Sequence, residues 1–177
     1  VTGLKADVVA TSSTGAVDIT AVEAVSITTG SGATTLSQAD STKATVDAEA
    51  IADGVLLTLK GAGDFDVTNV LSNVTNAATG TVNLTLDDDG SGSAVTATVT
   101  NNAGSGTLTT INGTFADGDT LTLAGSGDHV VTGLKADVVA TSSTGAVDIT
   151  AVEAVSITTG SGATTLSQAD STKATVD

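Results

Sequence analysis

The sequence predicts an all-β protein, a parallel β-solenoid, and three observations carry that expectation. Residues 131–177 reproduce residues 1–47 without a change at a period of 130, the mark of a tandem array. Short runs alternate apolar and polar residues with a period of two, and turn formers separate them. Pro, Cys, Met, Trp and Tyr are absent and only two Phe occur, so a core must be built from small and β-branched aliphatics in thin layers. Tandem β-sandwich modules are the alternative. A sandwich of the immunoglobulin type takes about 100 residues and a large aromatic core residue, which fits this composition poorly.

Residues 1–130 form one full repeat unit, and 131–177 begin the next identical one, so the sequence reads as a fragment of a longer array. The unit is itself two diverged halves. ADGVLLTLKGAGDFDVT (52–68) and ADGDTLTLAGSGDHVVT (116–132) agree at 11 of 17 positions at a spacing of 64. TGTVNLT (79–85) answers TGAVDIT (144–150) at a spacing of 65. Identical copies beside diverged halves make the 130-residue unit the most recent duplication, and that implies further copies.

Taken in order, the strand signals are Leu57-Thr58-Leu59, Val82 to Leu86, Val95 to Val99, Leu121-Thr122-Leu123 and Val147 to Thr150. Val and the 35 Thr residues favour a pleated, half-buried surface. Between them lie Gly30-Ser31-Gly32, Gly61 to Asp64, Asp87 to Gly92, Asn101 to Gly106, Asp117-Gly118-Asp119 and Gly125 to Asp128. There Gly supplies positive φ, and Asp or Asn closes the turn through its side chain. Ser37 to Ala52 is Ala-rich and resembles a short helix, but β-branched Thr42, Thr45 and Val46 argue for a strand or an irregular bridge. With about 20 to 22 residues per coil, a half-repeat makes about three coils. At about 4.8 Å per coil the unit then advances about 29 Å.

Leu, Ile, Val and Phe number 43 of 177, enough to expect a folded chain despite a net charge of −15. Each coil buries its inner face only against neighbours, so stability grows by nearest-neighbour terms. The sequence holds no recognisable capping repeat, as expected of an interior segment. The absence of Cys excludes disulfides and thiolate metal sites. Twenty acidic residues against five Lys, with no Arg and no stacking platform, argue against nucleic-acid binding. No stretch approaches the roughly 18 apolar residues of a membrane helix, so no membrane insertion is expected here. Export and anchoring signals are expected outside this sequence.

The runs LTLAGSGDHVVTGLKADVVA (121–140) and VSITTGSGATTL (25–36) resemble the tandem units of very large bacterial surface proteins made of β-strand repeats. They are also similar to the Gly, Thr, Ala and Asp-rich regions of calcium-dependent S-layer and RTX-type secreted proteins. The resemblance covers most of the chain. It implies roles in surface layers, adhesive fibres or matrix, with export by a type I route.

Calcium is the one cofactor with a candidate site. The RTX nonapeptide array is absent: Gly61 to Asp66 and Gly125 to Asp128 keep its flavour without its spacing. The better candidate is Asp87-Asp88-Asp89-Gly90-Ser91-Gly92-Ser93, where three carboxylates enter a Gly-rich turn that also offers backbone carbonyls to a hard cation. The competing reading is a solvated acidic turn. Asp117-Gly118-Asp119 is weaker, because Val55 replaces the second Asp in the other half.

No catalytic constellation emerges. His129, the one His, has Phe65 as its half-repeat counterpart, so that position accepts a ring with no ionisable nitrogen. No GxSxG elbow occurs, and Gly30-Ser31-Gly32 lacks the Lys and helix of a phosphate loop. Asn73, Asn83 and Asn112 open N-x-Thr glycosylation patterns, so glycans join the expected partners. Thr96/Thr98 and Thr120/Thr122 resemble the pairs of ice-binding solenoids, but their spacing is too irregular for a flat ladder. The expectation is a non-enzymatic extracellular structural repeat, a rod or filament of a microbial cell surface, surface layer or matrix. Its partners are further repeats and neighbouring filaments. The alternative is the stalk of a large adhesin whose ligand-binding domain lies outside this sequence. A polysaccharide lyase on a β-helix ranks third, since it needs a basic or aromatic-lined groove.

Overall fold

The computed structural model describes residues 1–88, 90, 94–103, 108–112, 115–116, 118–169 and 173–177, with the backbone alone at 109–112. Asp89, Asp117 and parts of the predicted turns at 87–92 and 101–106 lie outside the described residues.

Nineteen strands follow one another among the described residues: β1 (Thr2–Leu4), β2 (Val8–Val9), β3 (Val17–Ala21), β4 (Val25–Thr28), β5 (Thr34–Gln38), β6 (Lys43–Asp47) and β7 (Leu56–Gly61). Next come β8 (Asp64–Val70), β9 (Asn73–Ala78), β10 (Val82–Leu86), β11 (Thr96–Asn101), β12 (Leu108–Asn112) and β13 (Thr120–Gly125). The last six are β14 (His129–Leu134), β15 (Asp137–Ser143), β16 (Val147–Ala151), β17 (Ser156–Thr158), β18 (Thr164–Gln168) and β19 (Thr175–Val176). Odd-numbered strands form one ten-stranded parallel sheet and even-numbered strands a second of nine, so two strands make one turn of a parallel β-solenoid. The sandwich alternative is excluded, because every pairing is parallel. The Ala-rich stretch 37–52 contains strand β6 and no helix, as its β-branched residues required.

Alternation decides which side chains go in. In β10 the pattern buries Val82, Leu84 and Leu86 and leaves Asn83 and Thr85 outside. Register stacks the buried residues in columns: Ala44, Phe65, Val82, Leu108, His129 and Val147 follow one another down the nine-stranded sheet. Burying each aliphatic side chain contributes about 1.5–3 kcal/mol. Every ladder bond is made with a neighbouring coil, so coil-to-coil contact holds the molecule together.

Coils differ in length, and the excess goes to the corners. Register partners lie 17 residues apart from Val17 to Thr34, 25 from Val74 to Val99 and 26 from Val82 to Leu108. Close approach at the corners requires glycine. A Cβ on Gly32 would lie 2.2 Å from the Gly15 carbonyl oxygen, so this glycine supplies space rather than positive φ. Gly125 does both, with φ of 99° and the Asn101 carbonyl 2.2 Å from where a Cβ would sit.

The count of three coils per half-repeat needs correction. Residues 52–115 carry six strands, β7 to β12, but residues 116–177 carry seven, β13 to β19. The equivalents of β14 to β19 in the first copy are β1 to β6, so one unit takes thirteen strands, or six and a half turns. It advances about 31 Å, not 29, at about 4.8 Å per turn. The divergence lies after TGTVNLT and TGAVDIT. From Ala21 to Ile51 three strands fit, whereas from Leu86 to Phe115, a stretch of nearly equal length, the described residues form two. Strand β10 ends at Leu86 and β11 begins at Thr96, whereas the counterpart of that junction turns within three residues, from Ala21 to Val25.

Candidate functional site

The corners bring the carboxylates into backbone hydrogen bonds. Asp64 Oδ1 accepts the Thr81 N–H at 2.7 Å and Asp128 Oδ1 the Ala146 N–H at 2.8 Å, so the Gly-x-Gly-Asp corners bind each coil to the next. Asp7 and Asp137, identical in the two copies, do the same for Ser26 at 2.8 Å and Ser156 at 2.7 Å. Asp119 is buried and accepts twice, from Val95 N–H at 2.8 Å and from Ala116 N–H at 2.6 Å. Charge-assisted bonds of this kind are about twice as strong as neutral ones. Val55, at the equivalent place in the other half, instead packs against the core. Asp119 thus closes a corner.

Asp87 and Asp88 of the predicted calcium segment follow directly on β10. Asp87 N–H donates to the Val70 carbonyl, Asp87 Oδ1 accepts the Asp88 N–H at 2.9 Å, and Asp88 Oδ1 accepts the Gly90 N–H at 3.2 Å. Asp87 and Asp88 are half-buried, and Asp89 lies outside the described residues. Among the described residues, no three His, Cys, Asp or Glu side chains converge in a metal-binding group.

His129 stands in the core column between Leu108 and Val147, 1 % exposed. Its Nε2 donates to the Ala124 carbonyl at 3.1 Å, which fixes the tautomer, and Nδ1 is buried without a partner. Burial pushes its pKa below the ordinary 6.5, against the smaller opposing effects of the Ala124 carbonyl and the Asp128 charge.

Charged pairs lie outside. Lys43 bonds the Asp66 carboxylate, which also accepts Asn83 Nδ2 at 2.8 Å. The Lys43 ammonium, then the Asn83 amide, hold Asp66 below the usual carboxylate range. Lys5–Glu23 at 2.8 Å recurs in the second copy as Lys135–Glu153 at 3.7 Å. Such exposed pairs contribute little to stability, because water and salt screen them. Asp66, Thr68, Asn83 and Thr85 border a shallow open depression on the outer face.

The glycosylation patterns fall partly on structural amides. Asn73 Nδ2 donates to the Gly54 carbonyl at 3.3 Å and its Oδ1 accepts the Thr98 N–H at 2.9 Å. The pattern at Asn112 extends beyond the described residues. Thr96 and Thr98 stack on Thr120 and Thr122, but Asp137 and Val139 follow these in the next coil, so the paired columns end after two coils. A separate outer column aligns Thr35, Thr58, Thr75 and Thr100. Asp18 and Ala124 flank that column.

Sequence reasoning missed the asparagine pair. Asn76 and Asn101 face inward, both 0 % exposed, and Asn76 Nδ2 donates to Asn101 Oδ1 at 3.1 Å. Asn76 Oδ1 accepts the Ala78 N–H, while Asn101 Oδ1 accepts the Ala103 N–H and its Nδ2 donates to the Asp128 carbonyl at 2.7 Å. The available signal was a pair of Asn residues in place of Leu59 in the period-two pattern.

Among the described residues no helix is long and apolar enough to cross a membrane. No protein-family model, no curated protein and no solved structure matches this chain.

Proposed function

We propose that this chain is a segment of an extracellular structural rod, a filament of a microbial cell surface, surface layer or matrix. The observation that carries the reading is the position of the unit boundary. Residue 130 ends one copy and 131 begins the next, and both lie inside β14, which pairs on one side with β12 and on the other with β16. The two units share one pair of sheets with no linker, so adding copies adds length. Fifteen acidic residues against three Lys in residues 1–130 leave a charge of −12 per unit, which holds rods apart until cations screen it. Glycans and neighbouring filaments are the partners in this reading. Electron microscopy of native material should show continuous filaments with an axial period that is a small multiple of about 31 Å. Discrete thin rods ending in a different domain would instead identify an adhesin stalk.

Calcium belongs to the same proposal, at Asp87, Asp88 and Asp89. With calcium bound to the folded state alone, a hundredfold excess over Kd stabilises by about 2.7 kcal/mol. Chelator should therefore lower the unfolding temperature, and replacing the three Asp by Asn should abolish the difference. Identical melting curves with and without chelator would remove calcium from the account.

A further inference from the structure

We propose that the array is two-sided: each unit is set half a turn from the one before. Whatever surface one unit offers a partner, the next offers on the opposite face of the rod. The proposal follows from thirteen strands per unit with two strands per turn, and it stands whether or not the rods build a surface layer.

Identical residues supply the comparison. Val17–Ala21 is β3 in the ten-stranded sheet, and its copy Val147–Ala151 is β16 in the nine-stranded sheet. The pair β5 and β18 changes sheets in the same way. Corners exchange with them. Gly15 stacks under Gly32 where the chain passes from the nine-stranded to the ten-stranded sheet, whereas Gly145 stacks under Gly162 on the opposite edge.

The exchange is not a distortion of one copy, because each copy keeps its local contacts while changing sides. Gln38 Nε2 donates to the Glu23 carbonyl at 2.9 Å, and Gln168 Nε2 to the Glu153 carbonyl at 2.9 Å. Asp7 and Asp137 hold the same N–H groups. Register is also kept, with Asp18 beside Thr35 and Thr20 beside Ser37 in one copy, Asp148 beside Thr165 and Thr150 beside Ser167 in the other. A partner that recognises this hydroxyl and carboxylate patch therefore meets it on both faces in successive units. A given face shows it again only after two units, 260 residues and about 62 Å. Such an array cross-links what lies on either side of it, where a whole number of turns would give a one-sided tape.

The test uses this chain, which contains no cysteine. Asp18→Cys and Asp148→Cys together, biotinylated through the thiols and saturated with monovalent streptavidin, should show two particles on opposite sides of the rod by negative-stain microscopy. Their axial separation should be about 31 Å. Both particles on one side would overturn the proposal. Lys5→Cys with Lys135→Cys places the same pair of labels on corners, so the question can be settled where the sheet substitutions impair folding. These labels should project from opposite edges, and a common edge would be fatal to the idea.

Discussion

Stability should fall as the pH drops from 7.5 to 5, and His129→Phe should abolish that fall. The folded pKa of His129 is depressed by burial, so protons bind the unfolded chain more readily than the folded one below pH 6.5. The contribution of the neutral ring is complete above 6.5 and is lost progressively as pH falls through that value toward the folded pKa. Asp40 and Asp66 are also depressed, Asp40 chiefly by the Thr42 hydroxyl and amide and Asp66 chiefly by Lys43. Their contributions persist down to about the ordinary carboxylate range and vanish below it, so the two windows separate. Phe fits the column, since Phe65 already occupies it three coils away. The substitution removes the unpartnered Nδ1 but also the Nε2 bond to the Ala124 carbonyl, so at pH 7.5 the two effects oppose and the net change should stay within about 1 kcal/mol. Denaturant midpoints for both proteins at three pH values check this. A wild-type midpoint that does not move between 7.5 and 5 would contradict the buried neutral imidazole.

Asn101→Leu should destabilise the chain by about 3–5 kcal/mol, because one amide serves several buried groups. Its loss leaves the Asn76 amide, the Ala103 N–H and the Asp128 carbonyl without this partner. Each unsatisfied buried group costs about 1–3 kcal/mol. The Leu side chain itself suits the column, as Leu59 shows one coil before Asn76. Combining Asn76→Leu with Asn101→Leu should therefore cost less than the two single changes added together, with a coupling of about 1–2 kcal/mol measured in a double-mutant cycle. Additive losses would mean that the two amides do not act as a pair. Because coils are stabilised by their neighbours, unfolding should spread first through β9 to β13, and hydrogen exchange read strand by strand would locate it.

Much of the fold is written in the period-two pattern. Val82, Leu84 and Leu86 alternate with Asn83 and Thr85, so the inner face of β10 is legible without a structure. Parallel stacking follows from the small side chains and the repeat. The number of turns is not legible, because it depends on whether a polar segment after a strand becomes a tight corner or a long one. Val22 to Ala24 and the segment after Leu86 both read as turn, and only one of them allows an extra strand before the next half begins. The corner carboxylates are legible only in part. Turn signals place Asp64, Asp119 and Asp128 in corners closed by their side chains, but the N–H donors that reach them from coils 17 to 24 residues away leave no local pattern. Asn76 was hidden for a related reason, since Asn-rich runs announce turns and glycosylation patterns more readily than core positions.

A boundary that falls within β14 has a genetic consequence. Unequal exchange between two identical repeats joins any residue of one copy to its equivalent in another, and the junction reproduces a strand the rod already contains. Copy number can therefore rise or fall without inventing an interface. On the half-turn offset proposed above, each gain or loss of a single copy would also turn whatever follows it to the opposite face.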